Sequence, residues 1–373
     1  MEGNPGEELH GTEAVLELPL LVALREDHSV DPSLDPGLSP EDLLFLFRKM
    51  HLLRALDEKA MHLQRSGRIG FYIGAAGQEA AEIGSGFALS EGDWVFPSYR
   101  DQGVALLHGY PLSALVAQLF GNSSDATRGR QMPNHWCDRS ARIVSVSSPV
   151  ATQLPQAVGA AYAAKLRGER NAFLACFGDG GSSTGEFHVG MNFAGVFRTP
   201  NVFFCSNNQY AISVPFAKQT AAGSIAVKAV AYGFPGVRVD GNDVLAVTKV
   251  TRDALDRARE GLGPTLIEAL TYRMGAHSTS DDPSKYRPEE EVRAWGEKDP
   301  IRRFAAHLRR VGLLDPGKEE AVAVEAREEV RRAVAECEAA PPVPPESLLE
   351  DVYAEMPWHL REQLEWIPKP EKE

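Results

Sequence analysis

Two short apolar runs, Ala172-Phe173-Leu174-Ala175-Cys176-Phe177 and Val202-Phe203-Phe204-Cys205, each end in a polar loop suited to a charged ligand. The first run leads into Gly178-Asp179-Gly180, and the second into Asn207-Asn208, with 26 residues between the two motifs. Runs that are apolar on both faces and separated by a helix-length segment predict neighbouring strands of a parallel sheet covered by helices on both sides. In such a sheet ligands bind beyond the carboxyl ends of the strands, so both loops should face one crevice. The glycines let backbone approach a phosphate, and a following helix would aim its first amide hydrogens at it. Asp179 offers a hard carboxylate and Asn208 an amide oxygen, a donor set for octahedral magnesium that also takes phosphate oxygens. Either motif alone is a turn signal. Their pairing predicts a magnesium-diphosphate site.

The rest of the chain frames that prediction. Its 373 residues can form two average domains or one large α/β domain with additions. With 43% hydrophobic and 24% charged residues, the composition is that of a soluble globular protein. No apolar run approaches the roughly 20 residues that cross a bilayer. A net charge of −13 argues against nucleic acid or an anionic membrane as partner. The acidic start, Met1 to Pro19, has neither the basic opening of a signal peptide nor the Arg-rich character of a presequence. The expected location is the bacterial cytoplasm, with the mitochondrial matrix only for a chain whose presequence has been removed. Cys137, Cys176, Cys205 and Cys337 lack metal-ligand spacing and read as reduced structural residues.

Residues 1–37, rich in Pro, Gly and acids, read as an N-terminal arm. Ser39, Pro40 and Asp42 then make a strong helix start, and Gly67 a stop. Residues 38–288 read as the ligand-binding α/β domain. Its strands are expected at Asp93–Pro97, Ile143–Val146, Ala172–Phe177, Val202–Cys205, Val237–Val239 and Thr265–Tyr272. A small-residue run, 159–164, suits close helix packing, and Thr152 reads as a helix cap. Residues 289–373 read as a charged, helical C-terminal extension for subunit contacts, interrupted by the stiff Pro341-Pro342-Val343-Pro344-Pro345 segment.

At their spacing, Gly178-Asp179-Gly180 and Asn207-Asn208 resemble the thiamine diphosphate motif of the thiamine-dependent enzymes. Further runs are similar to one branch, the α subunits of the decarboxylating component of 2-oxo acid dehydrogenase complexes. They are Ser98-Tyr99-Arg100-Asp101, Gly129-Arg130-Gln131-Met132-Pro133, Ser147–Gln153, Thr271-Tyr272-Arg273 and His277–Asp282. The His277 stretch and Tyr210-Ala211-Ile212-Ser213 are most similar to the branched-chain member. The resemblance implies magnesium ligation by Asp179, Asn208 and the carbonyl of Tyr210. It implies a cofactor site formed by Tyr99, Arg100, Ser148, Val150, Gly178, Gly180, Gly181, Ile212, Arg273 and His277. His277 and His135 would be catalytic, and Phe71, Tyr99, Met132 and His135 would meet the substrate, with Tyr72 beside them. Ser147, Thr152 and Gln153 would form a potassium site, and Ser278 matches a regulatory phosphoserine of eukaryotic relatives. Ser206 departs from relatives that carry an Arg there, which puts one diphosphate contact in question but not the metal ligands.

Thiamine diphosphate supplies the carbanion and electron sink for decarboxylating a 2-oxo acid. The glutamate that activates it sits, in this class, in a second domain for which the chain has no room. The resemblance therefore implies a separate β subunit, an α2β2 heterotetramer, and acyl transfer to a lipoyl-bearing dihydrolipoyl acyltransferase. Pyruvate or acetoin in place of a branched-chain 2-oxo acid is the alternative within the family. A non-catalytic diphosphate- or nucleotide-binding module is the alternative outside it. A hydride-transferring Rossmann enzyme is disfavoured because Ser183 breaks the G-x-G-x-x-G fingerprint.

Overall fold

The computed structural model describes residues 17–350 and 352–367. The strands are β1 (Leu20–Leu21), β2 (Trp94–Phe96), β3 (Phe173–Gly178), β4 (Asn201–Asn207), β5 (Tyr210–Ala211), β6 (Val214–Pro215), β7 (Gly236–Asp240) and β8 (Thr265–Leu270). Six form one sheet in the order β1-β7-β8-β4-β3-β2, parallel throughout, while β5 and β6 pair as a small antiparallel ribbon. The helices are α1 (Pro40–Arg65), α2 (Glu79–Phe87), α3 (Gln102–Leu107), α4 (Leu112–Phe120), α5 (Gln153–Leu166) and α6 (Gly185–Phe197). They continue with α7 (Val244–Arg259), α8 (Glu289–Gly296), α9 (Pro300–Arg310), α10 (Pro316–Glu338), α11 (Ser347–Glu350) and α12 (Trp358–Trp366).

Alternation along the central strands divides the core in two. Leu174, Cys176, Val202, Phe204, Ile267 and Ala269 join one cluster, with α1, α2, α4 and α7. Phe173, Ala175, Phe177, Phe203, Cys205 and Leu266 point the other way, into a cluster with α5 and α6. Helices therefore cover both faces, the doubly wound α/β class that the sequence predicts. Registers Gly178↔Ser206 and Asn207↔Leu270 bring the exits of β3, β4 and β8 side by side. The start of α1 is as read: Ser39 Oγ accepts the Asp42 N–H (3.1 Å), and Asp42 Oδ2 accepts the Ser39 N–H (3.3 Å), a capping box.

Four expectations change. The described half of the N-terminal arm belongs to the sheet: β1 pairs with β7, and Asp243 Oδ2 accepts the N–H groups of Ala23 and Leu24 at 2.8 and 2.6 Å. The arm's first 16 residues lie outside the described residues. Ile143–Val146 is not a strand; Ile143 makes single bridges to Val95 and Asp138. The C-terminal region is more than an extension, because Ile301, Phe304, Leu308, Val330 and Val334 enter the same buried cluster as Phe47 and Met50 of α1. Thr152 stands at the start of α5 but does not cap it; its hydroxyl donates to the Pro149 carbonyl at 2.8 Å. Among the described residues no helix is long and apolar enough to cross a membrane.

Candidate active site

A cleft of about 460 Å³ opens at the carboxyl edge of the sheet, a volume in the range of small-molecule sites. Its floor is Gly178–Gly181 after β3, Ser206 and Asn208 at the end of β4, and Arg273 after β8. Ser98–Asp101 after β2, the 147–153 segment, Tyr210–Ile212 and His277 complete the wall. A 3-10 turn, Asp179–Ser183, follows β3, and α6 begins only at Gly185 behind its Thr184 cap, so the expected direct strand-to-helix step has a turn inserted. Gly180 is required by space: a Cβ there would lie 2.8 Å from the Ala211 Cβ.

The site's charges are only partly compensated: Asp281 acts on Arg273 and His277, and Arg273 on Asp179, through their charges. Burial pushes the Asp179 carboxyl above its ordinary value, against the hydrogen bond from Gln219 Nε2 at 2.5 Å. Asn208 Nδ2 donates to Gln78 Oε1 at 3.2 Å, which turns its amide oxygen toward the Tyr210 N–H (3.3 Å). Arg273 is buried, and its Nη groups donate to neutral acceptors: the carbonyls of Tyr210 (3.1 Å) and Ile212 (2.7 Å) and the Tyr286 hydroxyl (2.9 Å). Its buried Nε has no hydrogen-bond partner among the described residues. Burial and the Arg100 charge together hold the Arg273 pKa below its ordinary value. Arg100, also buried, donates to the carbonyls of Gly74 and His277. Two buried guanidinium groups call for an anion, and a buried carboxylate lining the same cleft as Asn208 calls for a cation. No group of three His, Cys, Asp or Glu capable of holding a metal occurs among the described residues. A cation at Asp179 would thus need amide, carbonyl and ligand-phosphate oxygens, the donor set magnesium takes. The residues present fit a metal-bound diphosphate.

Hydrogen-bond partners assign the two histidines opposite tautomers. Nδ1 of His277 lies 3.3 Å from Arg100 Nη2 and 3.5 Å from Arg273 Nη1, both donors, so Nδ1 accepts and Nε2 carries the proton. His135 Nδ1 faces the Pro133 carbonyl at 3.2 Å and must donate, so Nε2 accepts the Ser148 hydroxyl at 2.6 Å. Burial, then the charges of Arg100 and Arg273, pull the His277 pKa down to about 4 from 6.5. A base whose folded pKa is lowered binds fewer protons folded than unfolded, so it costs stability as pH falls from about 6.5 toward 4 and costs none above that window. Replacing it, His277→Gln, is expected to flatten the acid-side loss of Tm between pH 6.5 and 4. Melting curves at half-unit steps check this, and an unchanged slope would refute the assigned shift.

Not every expected residue reaches the cleft. Tyr99, Arg100, Ser147, Ser148, Val150, Gln153, Gly178, Asp179, Gly180, Gly181, Asn208, Tyr210, Ile212, Arg273 and His277 line it; Phe71, Met132, His135 and Thr152 do not. Met132 is half exposed, and His135 is hydrogen-bonded to the cleft-lining Ser148. Tyr72 is core, its hydroxyl donating to Asp57 Oδ1 at 2.6 Å, and Trp136 packs against Tyr110. Of the residues expected to meet the substrate, Tyr99 lines the cleft, edge-on to His277 at 6.1 Å between ring centroids. The side-chain amide of Gln153 donates to the Cys176 carbonyl (2.7 Å), and Ser278 is buried. Ile212 holds φ +55, strained for a β-branched residue, with Arg273 bonded to its carbonyl. Gln78, Thr184 and Gln219 carried no signal, since a lone loop Gln or Thr has no motif; the fold brings them to Asn208, the cleft and Asp179.

A nearly all-parallel α/β fold with an anion-and-cation cleft at its strand ends defines a diphosphate-binding enzyme domain. Residues 47–346 match the family described as dehydrogenase E1 component, and the chain belongs to that family. It is 44% identical over 346 residues to the human mitochondrial 2-oxoisovalerate dehydrogenase subunit alpha, covering 92% of this chain and 78% of that protein. It is 45% identical over 320 residues to the Bacillus subtilis 2-oxoisovalerate dehydrogenase subunit alpha, covering 85% and 97%. The Bacillus cereus pyruvate dehydrogenase E1 component subunit alpha is 43% identical over 331 residues, covering 88% and 87%. Membership implies thiamine diphosphate as cofactor and a β subunit as partner.

Proposed function

We propose that this chain is the α subunit of a branched-chain 2-oxo acid dehydrogenase, decarboxylating its substrate and passing the acyl group to a lipoyl-bearing dihydrolipoyl acyltransferase. The observation that carries the reading is the cleft's charge layout: Asp179 and Asn208 at the exits of adjacent strands, opposite the buried Arg100 and Arg273. Identity to 2-oxoisovalerate dehydrogenase α subunits over most of the chain supports the substrate class. The bound thiamine diphosphate would supply the carbanion and electron sink. This chain's residues do the rest. Asp179, the Asn208 amide and the Tyr210 carbonyl hold magnesium against the diphosphate. Arg100 and Arg273 pair with its oxygens as planar forks. His277, neutral at working pH, presents its Nε2 proton to a ligand oxygen, and the Ser148–His135 pair forms a second proton path at the wall. Ser147 and Gln153 are the cleft-facing part of the candidate potassium site, and Ser278 is the candidate phosphoserine.

The β subunit contributes the activating glutamate, and assembly is α2β2. A reading for pyruvate is favoured by the 43% identity to a pyruvate dehydrogenase α subunit. One experiment separates these. Decarboxylation of 3-methyl-2-oxobutanoate and pyruvate is measured for the chain alone and with its β subunit, with magnesium, thiamine diphosphate and an artificial electron acceptor. Activity is expected only in the mixture, with the branched acid preferred. Pyruvate preference would keep the mechanism and change the substrate. Activity of the chain alone would overturn the shared site.

A further inference from the structure

Asn207, first of the asparagine pair, is absent from the cleft wall, yet it is fully buried and its side chain is engaged on both sides. Its Nδ2 donates to Glu268 Oε1 at 2.6 Å. Its Oδ1 accepts the Gln209 backbone N–H at 3.2 Å and Gln209 Nε2 at 2.9 Å. The turn so closed needs holding, because Gln209 has φ +74, a backbone that side chains with a Cβ rarely adopt. On either side of that strained residue stand Asn208 and Tyr210, which line the cleft together with Asp179.

Glu268 is the other end of this chain of contacts. It lies in the middle of β8 with no exposed surface, and its second oxygen accepts the Ala226 N–H at 3.0 Å. A carboxylate in the interior of a parallel sheet is costly, and its partners here are two neutral donors. What it offers in return is chemical asymmetry. A carboxylate only accepts, whereas a glutamine of the same shape would also donate. Against an acceptor-only group the Asn207 amide has one satisfied orientation: nitrogen toward Glu268, oxygen toward Gln209.

We propose that Glu268 is a positioning residue for the metal loop, fixing the Asn207 amide so that Asn207 holds the Gln209 turn and with it the Asn208 and Tyr210 oxygens. The proposal rests on reading those oxygens, with Asp179, as the magnesium donors. In Glu268→Gln every arrangement opposes two donors, either at Asn207, at Ala226 or, if Asn207 flips, at the Gln209 N–H. Exchanging the two groups, Asn207→Asp with Glu268→Gln, restores every bond. The relocated carboxylate would accept from Gln209 and from the new amide, whose oxygen accepts from Ala226.

The test uses the full chain assembled with its β subunit. Thiamine diphosphate binding is followed by calorimetry across a magnesium titration, with Tm recorded in parallel. Glu268→Gln is expected to stay assembled, to bind thiamine diphosphate on the order of 10- to 100-fold more weakly, and to need more magnesium for half-saturation. The exchanged pair is expected to return within about threefold of the unaltered enzyme, a recovery that a packing role alone would not produce in the magnesium midpoint. Unaltered affinity in a folded Glu268→Gln enzyme would overturn the proposal, as would an assembled exchange variant that stays weak. If Glu268→Gln fails to assemble, the exchange variant decides alone, and failure of both to assemble makes Glu268 a framework residue and overturns the proposal. If the unaltered enzyme itself binds no thiamine diphosphate, the functional reading has failed instead.

Discussion

Asp179→Ala is expected to abolish magnesium-dependent binding of thiamine diphosphate while leaving the chain folded. Burial already raises the Asp179 pKa, so its charged form is disfavoured by the folded chain and stabilises nothing there. Its side-chain partner is Gln219 Nε2, which keeps a second acceptor in the Val214 carbonyl at 3.0 Å. The carboxylate also accepts the backbone N–H groups of Asp179 and Asn208, and each bond lost costs roughly 1 kcal/mol. On the proposed reading the balance reverses in the loaded site, where the Asp179 carboxylate would meet a dication that the two amide-type oxygens cannot neutralise. Its removal is expected to weaken cofactor binding by about 10³-fold, roughly 4 kcal/mol. Calorimetry with and without magnesium, beside a melting curve, measures both effects. Tight, magnesium-dependent binding by a folded Asp179→Ala chain would sink the metal assignment. Asp179→Asn, which keeps an oxygen and loses the charge, should fall between.

The parts of this molecule that could be read from sequence are those whose signal is local. Phe173–Phe177 and Val202–Cys205 are apolar at every position because helices cover both faces, and no solvent-facing alternation competes with that pattern. Ser39 and Asp42 cap α1 with atoms three residues apart. The apolar stripe Ile301, Phe304, Ala305 and Leu308 of α9 was also there at helical spacing, but the charges around it suggest a solvated helix, and only its packing against α1 settles the matter. Other features had no local signal. β1 is two residues long, and what fastens it is Asp243, more than two hundred residues away. Ile143–Val146 has strand propensity but no partner beyond single bridges, a case of context overriding propensity. Motifs brought Asp179, Asn208 and the arginines to one cleft, yet Gln78 and Gln219, which bond Asn208 and Asp179, arrive by topology. Phe71 and Met132 do not line the cleft of this chain, and being apolar near a motif says nothing about which side of the loop a side chain takes.

Arg273→Met is expected to be nearly as severe as Asp179→Ala, by a different route. On the proposed reading Arg273 would be a cation for the diphosphate, and it is the clamp on the β5 turn, since its Nη groups hold the carbonyls of Tyr210 and Ile212. The Ile212 conformation is unfavourable for a β-branched residue, and Arg273 bonds its carbonyl there. Methionine fills the same space, loses the charge and frees both carbonyls. The buried charge costs the free chain desolvation, with Arg100 adding repulsion, so its loss offsets part of the lost bonding and the net change in Tm should be small. Cofactor affinity should fall by about 10²- to 10³-fold, the loss of a buried charge-assisted pair together with a displaced metal oxygen. Arg273→Lys separates the two roles. It keeps the charge but presents a single point donor that cannot span two carbonyls, so it should recover diphosphate affinity in part while leaving residues 208–214 loose. Limited proteolysis of that segment, measured with affinity for both variants, distinguishes them. Equal affinity in Arg273→Met and Arg273→Lys would mean that the clamp alone matters and that the guanidinium does not pair with the diphosphate. Full affinity in both would remove Arg273 from the site.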